Sequence, residues 1–206
     1  MLKFVKKIFC LGIFALSFGF AIQPANAAQL SYGSTGKQVI HTQTILKQLG
    51  YFNTEVTGYY GPITENAVKR FQQDFNIESL GIVGPKTSKK LTEIEMMAHV
   101  VYGEARGESY EGQVAVAAVI LNRLQSEEFP DTISGVIFQR NAFTAVQDGQ
   151  FYLIPDSSAY QAVRDSLLGW DPSQGAVFYY NPRLATDQWI FSRQAIKQIG
   201  NHTFAM

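Results

Sequence analysis

The sequence predicts a mainly helical protein with a few short strands, arranged as two units behind an apolar leader. Three observations carry that class. Apolar residues recur at helical spacing in several separate segments. Gly-Pro-x-Thr turns repeat within one short region, at Gly61 to Thr64 and again at Gly84 to Thr87. Aromatic, β-prone text is confined to the last part of the chain, around "GAVFYYNP".

A chain of 206 residues has room for one or two domains. Residues 1–27 read as a secretory signal. Lys3, Lys6 and Lys7 precede the uncharged apolar run Ile8 to Ile22, and Ala25-Asn26-Ala27 offers the small-x-small pattern of a cleavage point, so Ala28 is the expected mature start. The run is short for a bilayer span and no later stretch could replace it, so no stable membrane anchor is expected after cleavage. The only cysteine, Cys10, falls in that leader. The mature chain therefore has no disulfide, no thiolate nucleophile and no cysteine-ligated metal. Losing three lysines takes the balance from 17 basic against 17 acidic residues to 14 against 17. Such a chain presents no field for polyanions, and nucleic acid is not an expected partner.

Residues 28–91 form the first unit. In "GSTGKQVIHTQTILKQLGYF", Val39, Ile45, Leu46 and Leu49 make an amphipathic helix that stops at Gly50. "GPITENAVKRFQQDFNI" repeats the plan, with Pro62 behind Gly61, Thr64 as the expected N-cap, and Val68, Phe71 and Phe75 on one stripe. "GIVGPKTSKKL" starts a third helix. Three short helices with glycine turns give a bundle just large enough to fold alone.

The second unit, residues 94–206, opens with Ile94, Met97, Ala98 and Val101 at i, i+3, i+4 and i+7, a helix expected to end near Tyr102 because Gly103 weakens its continuation. Val114 to Leu121 is apolar on every side, which places a helix at the centre of the unit, re-emerging at Asn122-Arg123. "SSAYQAVRDSLLG" carries a further stripe of Ala159, Val163 and Leu167.

Between the two helices of the second unit lies the charged stretch "GEARGESYEG". The alternatives to carboxylate chemistry are poorly supplied. No Gly-x-Ser-x-Gly elbow is present, and His41, His99 and His202 have no ligand spacing, so neither metal nor other cofactor is expected. A metal-dependent amidase and a non-catalytic binding protein stand as the alternative readings. Glu104 is the best-placed acid. At the end of a helix its carboxyl meets the negative end of the dipole, glycines leave the backbone open to a polymer, and an apolar helix beneath excludes water. A nearby Arg106 would pull the other way, and a plain surface pair of the two is the bland alternative. Glu108 and Glu111 read as acids that start the next helix. Phe143, Tyr180, Asn181 and His202 are the candidate substrate-binding residues; the two aromatics fit sugar stacking or core packing equally, and Asn181-Pro182 also fits a turn.

Two resemblances add to this reading. "GYYGPITENAVKRFQQDFNI" followed by "GIVGPKT" resembles the peptidoglycan-binding repeat domain of bacterial wall hydrolases, with Thr57-Gly58 and Leu80-Gly81 where that family commonly has Asp-Gly. "MAHVVYGEARGESYEGQVAVAAVILNR", "NAFTAV", "AVRDSLLGWDPSQGAVFYYNP" and "IGNHTFA" resemble the catalytic domain of the SleB/CwlJ family of spore cortex-lytic enzymes, over about residues 94–206. The order of signal, binding repeat and catalytic domain is similar to the SleB branch. "RNAFTAV" departs from the usual Gly-Gln-Phe-Ser, keeping Phe143 and a hydroxyl at Thr144. The resemblance implies a lysozyme-like or lytic-transglycosylase-like fold and puts the catalytic acid on Glu104. It implies cortex peptidoglycan as substrate, a secreted enzyme of the spore cortex or wall, and a YpeB-type accessory protein as partner. Because no second acid has a comparable setting, cleavage between muramic acid and glucosamine is expected to use one glutamate, with the muramic C6 hydroxyl as nucleophile.

Overall fold

The computed structural model describes residues 29–206; the leader, Cys10 and the expected cleavage point lie outside the described residues. Among the described residues, seven α-helices, two single-turn 3-10 helices and a small sheet follow one another, mainly helical with short strands as the sequence predicts.

The first unit is built from α1 (Lys37–Gln48), α2 (Pro62–Asp74) and the start of α3 (Pro85–Ala105). Val39, Ile45, Leu46, Leu49, Val68 and Phe71 are all buried, and Gly50 adopts φ +85°, the left-handed stop that ends α1. Two buried glutamines explain the internal repeat. The Gln43 amide donates to the Tyr59 carbonyl (2.9 Å) and the Thr64 hydroxyl (2.8 Å), and its oxygen accepts from the N–H groups of Thr57 (3.1 Å) and Gly58 (3.0 Å). Gln72 does the same one repeat later, donating to the Ile82 carbonyl (2.8 Å) and the Thr87 hydroxyl (2.9 Å) and accepting from Gly81 N–H (2.8 Å). Each turn is thus held by a saturated buried amide. Thr64 is not the N-cap expected of it. Gly61 takes that position with Pro62 as the first helical residue, and the Thr64 hydroxyl is spent on Gln43.

A second difference concerns α3. The sequence reading gives two helices on either side of residues 91–94, but α3 runs unbroken for 21 residues. Leu91, Ile94, Met97, Ala98 and Val101 lie on one buried stripe, and neither Thr92 nor Glu93 interrupts the backbone ladder. At 1.5 Å per residue this is a rod of about 30 Å whose first turns belong to the N-terminal bundle and whose last turn carries Glu104. The bundle is tied to the rest a second time at the end of α1. Arg164 of α7 (Ser157–Leu167) donates to the Leu49 carbonyl at 2.7 Å, a cation set on the negative end of the α1 dipole.

The core of the second unit is α4 (Tyr110–Gln125), every residue of which from Val114 to Ile120 is buried. α3, α7 and α5 (Ile133–Phe138) pack around it. Its end does not surface as expected. Arg123 is buried, and Asn122 donates to Asp171 (3.1 Å), Ser173 (3.2 Å) and the Ala176 carbonyl (3.0 Å), fixing the loop that leads into the sheet. That sheet is antiparallel in the order β1 (Phe178–Tyr180), β3 (His202–Ala205), β2 (Ala195–Ile199), with a bulge between Ala195 and Lys197.

Candidate active site

Glu104 lies inside the last turn of α3, not beyond its end, because α3 continues through Gly103 to Ala105. Its carboxylate accepts the Ala145 N–H at 2.6 Å from the first turn of α6 (Thr144–Gln147). Tyr179, the middle residue of β1, brings its hydroxyl to the same carboxyl. Burial pushes the Glu104 carboxyl above the ordinary glutamate range; the Ala145 N–H and the Tyr179 hydroxyl draw it back down, and the charge of Asp148 raises it slightly. Of the two causes the sequence offered, exclusion of water and the helix dipole, it is exclusion of water that leads. The Tyr179 hydroxyl is held well above its usual range by burial and by the neighbouring Glu104, so it stays a donor.

Gly103 has a task beyond the one its sequence context suggests. A Cβ there would stand 2.5 Å from the Ala145 Cβ and 3.5 Å from the Gln150 backbone. The missing methyl lets α6 lie directly on α3 and so brings the Ala145 N–H to Glu104. Gly103 also lines the groove around Glu104, so the same missing side chain leaves the backbone open there.

The other charges of the stretch separate clearly. Arg106 caps the end of α3, donating to the Gly103 carbonyl at 3.2 Å, and its guanidinium sits 5.7 Å from the Tyr102 ring centre. It makes no ion pair with Glu104 among the described residues. Glu108 accepts from the Asn201 N–H (3.0 Å) and side-chain amide (2.9 Å), clamping the β2–β3 turn. Those bonds to Asn201 outweigh the partial burial of its carboxyl and hold it below the usual range. Ser109, not an acid, caps α4 by accepting the Gly112 N–H, and Glu111 in the first turn pairs with Lys197 at 2.9 Å.

Of the four candidate substrate-binding residues, three meet Glu104 around one groove. Tyr180, Asn181 and His202 line, with Glu104, Thr144 and Tyr179, a cavity of about 630 Å³. Strand alternation separates the two tyrosines: Tyr179 points toward Glu104, whereas Tyr180 turns to the other face and meets Phe191 at 5.4 Å. His202 is buried and stacks behind Tyr179 with ring centres 5.0 Å apart, so it supports that ring. Asn181 accepts the Arg183 N–H at 3.0 Å, which makes it a turn residue on the rim. Phe143, the fourth, lies on the adjoining side of Glu104, in the wall of the neighbouring cavity; it is 2% exposed, with the Arg123 guanidinium 4.9 Å from its ring centre, so core packing accounts for most of its surface.

On the other side of Glu104 the groove continues into a second cavity of about 430 Å³, lined by Arg123, Arg140, Asp187 and Trp189 as well as Thr144 and Tyr179. Arg123 is the residue that sequence reading missed. It donates to the carbonyls of Val177 (2.7 Å) and Ala142 (3.3 Å) and packs against the rings of Phe143, Phe129 and Phe178. A polar residue ending an all-apolar helix carried a faint signal of this. Tyr179 was one step from the residue chosen, and the period of two along "FYYN" was the signal that could have found it.

The carboxylates around the groove differ in what they hold. Glu108 is engaged by Asn201, Asp148 by Gln150, and Asp187 by the Trp189 N–H. Only Glu104 combines burial with a place between the two cavities.

The peptidoglycan binding domain family matches residues 35–91, and the family described as Cell Wall Hydrolase matches residues 107–205, beginning just after Glu104. The spore cortex-lytic enzyme of Oceanobacillus iheyensis is 39% identical over 85% of this chain and 86% of its own length. That of Bacillus cereus is 40% identical over 84% of each chain. The solved structure of the catalytic domain of the germination-specific lytic transglycosylase SleB from Bacillus anthracis is 59% identical, is matched over 55% of this chain and 93% of that chain, and superposes with a TM-score of 0.53. From its N-terminal binding repeat to its last strand, the chain belongs to the family of spore cortex-lytic enzymes, a branch of the cell wall hydrolases.

Proposed function

We propose that the protein cleaves the glycan backbone of spore cortex peptidoglycan during germination, as a lytic transglycosylase with Glu104 as its single acid–base group. Residues 28–91 are the wall-binding unit and 94–206 the cleaving unit of an enzyme secreted by the signal at 1–27, with a YpeB-type protein as accessory partner. The carrying observation is a half-buried carboxyl, held above its ordinary range, at the floor of a groove that is open on both sides. A groove with cavities on either side of the acid suits a strand that continues past the scissile bond.

Glu104 begins protonated and gives its proton to the oxygen linking muramic acid to glucosamine as the C1–O bond breaks. Cationic character at C1 is then captured by the C6 hydroxyl of the same muramic residue. The Glu104 carboxylate takes that hydroxyl proton, so the enzyme is restored and a 1,6-anhydro end is formed. The Ala145 N–H and the Tyr179 hydroxyl stabilise the carboxylate in the interval, which lowers the cost of giving the proton up. No second acid is placed as a nucleophile or as the base for a water, since the neighbouring carboxylates hold structural partners.

Mass spectrometry of digested cortex tests the reading: anhydro-muramic ends are expected, and reducing muramic ends would replace it with hydrolysis. Glu104→Gln is expected to abolish cleavage while leaving the fold and wall binding intact. Retained cleavage in that variant would remove Glu104 from its role.

A further inference from the structure

The N-terminal unit displays two tyrosines that its packing does not require. Tyr32 is 61% exposed and Tyr59 46% exposed, and their rings meet edge to face with centres 6.3 Å apart and planes inclined at 73°. The internal repeat shows that the fold does not demand an aromatic here. Tyr59 and Ile82 hold the same place, each offering its carbonyl to a buried glutamine, and the inward-facing residues that follow are Tyr60 and Val83. Only the first repeat puts a large ring outside.

Both rings are held in place from below. Tyr59 follows Thr57 and Gly58, whose N–H groups are fixed by Gln43, and its ring rests on Gly61, where a Cβ would come within 3.1 Å. Tyr32 occupies a tight turn closed by the Ser34 N–H on the Ser31 carbonyl (2.9 Å), with Gly33 at φ +89°. The two loops are laced together by Gly33 N–H to Tyr60 O (2.9 Å), Tyr60 N–H to Ser34 O (2.9 Å) and Gly36 N–H to Gly58 O (2.9 Å). Rings carried this way lose little freedom when a ligand arrives, the condition under which exposed aromatics contribute most to binding.

We propose that Tyr32 and Tyr59 form a glycan-stacking corner, in which one ring is the floor and the other the wall for the apolar face of a pyranose in the peptidoglycan strand. This site is separate from the groove around Glu104, and the inference rests on the reading that the chain acts on peptidoglycan. An amphipathic ring with a polar edge matches a sugar, which has C–H bonds on its faces and hydroxyls around its rim. A neutral aromatic corner binds glycan without regard to the charge of the stem peptides.

The test uses the full chain carrying Glu104→Gln, so that substrate survives, with and without Tyr32→Ala and Tyr59→Ala. Retention is measured on purified cortex peptidoglycan and on immobilised glycan strands stripped of stem peptides. The alanine pair is expected to weaken retention about ten-fold or more on both, two rings each contributing a few-fold. Tyr32→Phe with Tyr59→Phe is expected to stay within about three-fold of the parent, because stacking survives loss of the hydroxyls. With Glu104 intact, the alanine pair is expected to cleave short soluble glycan fragments at the parental rate and to melt with the parent, both rings being exposed.

Parental retention by the alanine pair would overturn the proposal, as would parental retention that disappears once the stem peptides are removed. Slowed cleavage of the soluble fragments would also overturn it, since the corner would then be acting through the groove. Failure of the Glu104 reading is distinguishable: it appears as cleavage by Glu104→Gln, which leaves the retention results as they stand.

Discussion

Gly103→Ala adds one methyl at the contact that sets the acid. That methyl would stand 2.5 Å from the Ala145 Cβ, against about 3.5–4.0 Å for two carbons at rest. α6 must therefore withdraw by about 1 Å, and the Gln150 backbone at 3.5 Å limits how far it can slide sideways. The Ala145 N–H now 2.6 Å from Glu104 would move to the outer limit of a hydrogen bond. Overpacking of this kind costs about 1–3 kcal/mol, and alanine offsets up to ~1 kcal/mol of it through its better helix propensity. The net loss of about 0–2 kcal/mol corresponds to a fall of a few degrees in melting temperature for a chain of this size. Catalysis should suffer far more, because a misplacement of about 1 Å at a reacting group can cost on the order of 100-fold in rate. The assay pairs thermal melting with the rate of anhydro-end release from purified cortex. Adding Ala145→Gly removes the opposing methyl and should restore most of the rate, a coupling expected only of residues in contact. A single Gly103→Ala variant with the parental rate would refute the claim that this contact positions the acid.

Four other outcomes follow from the same geometry. Glu104→Gln should raise the melting temperature at neutral pH. A buried acid whose folded pKa lies above its unfolded value costs stability as pH rises through that interval and costs nothing below the unfolded value, so melting parent and variant across pH should show the gain shrink on acidification. By the same sign, the rate should fall as pH rises through the elevated Glu104 pKa, the protonated form being the one that acts. Arg123→Met keeps an apolar chain against Phe129, Phe143 and Phe178 but orphans the carbonyls of Val177 and Ala142; chemical denaturation should show a loss of about 1–3 kcal/mol for each carbonyl that water does not reach. Gln43→Leu strands the N–H groups of Thr57 and Gly58 and the Tyr59 carbonyl, and should loosen the first unit by a comparable amount, read as accelerated proteolysis within residues 29–84.

The helices were legible because their signals are local. Apolar spacing gave α1, α2, α4 and α7 and their buried faces, Gly50 and Pro62 marked a stop and a start, and the charged stretch drew attention to Glu104. Misreadings arose where a residue's partner lies far along the chain. Thr64 resembles a cap until Gln43 is folded against it, 21 positions away. The packing role of Gly103 stays hidden until Ala145 is folded against it, and Arg123 resembles the surfacing end of a helix until Val177, 54 positions on, accepts its N–H.

By itself, the sequence determined the class of the fold, the repeat in the first unit and the identity of the candidate acid, since periodicity, turn chemistry and a carboxylate among glycines are properties of neighbouring residues. Only the tertiary structure decided that α3 is one rod through both units, that Tyr179 rather than Tyr180 faces Glu104, and that burial outweighs the hydrogen bonds that pull its pKa down. Desolvation depends on everything packed around a group. The groups that oppose it here, the Ala145 N–H on α6 and the Tyr179 hydroxyl on β1, come to Glu104 from more than 40 residues away.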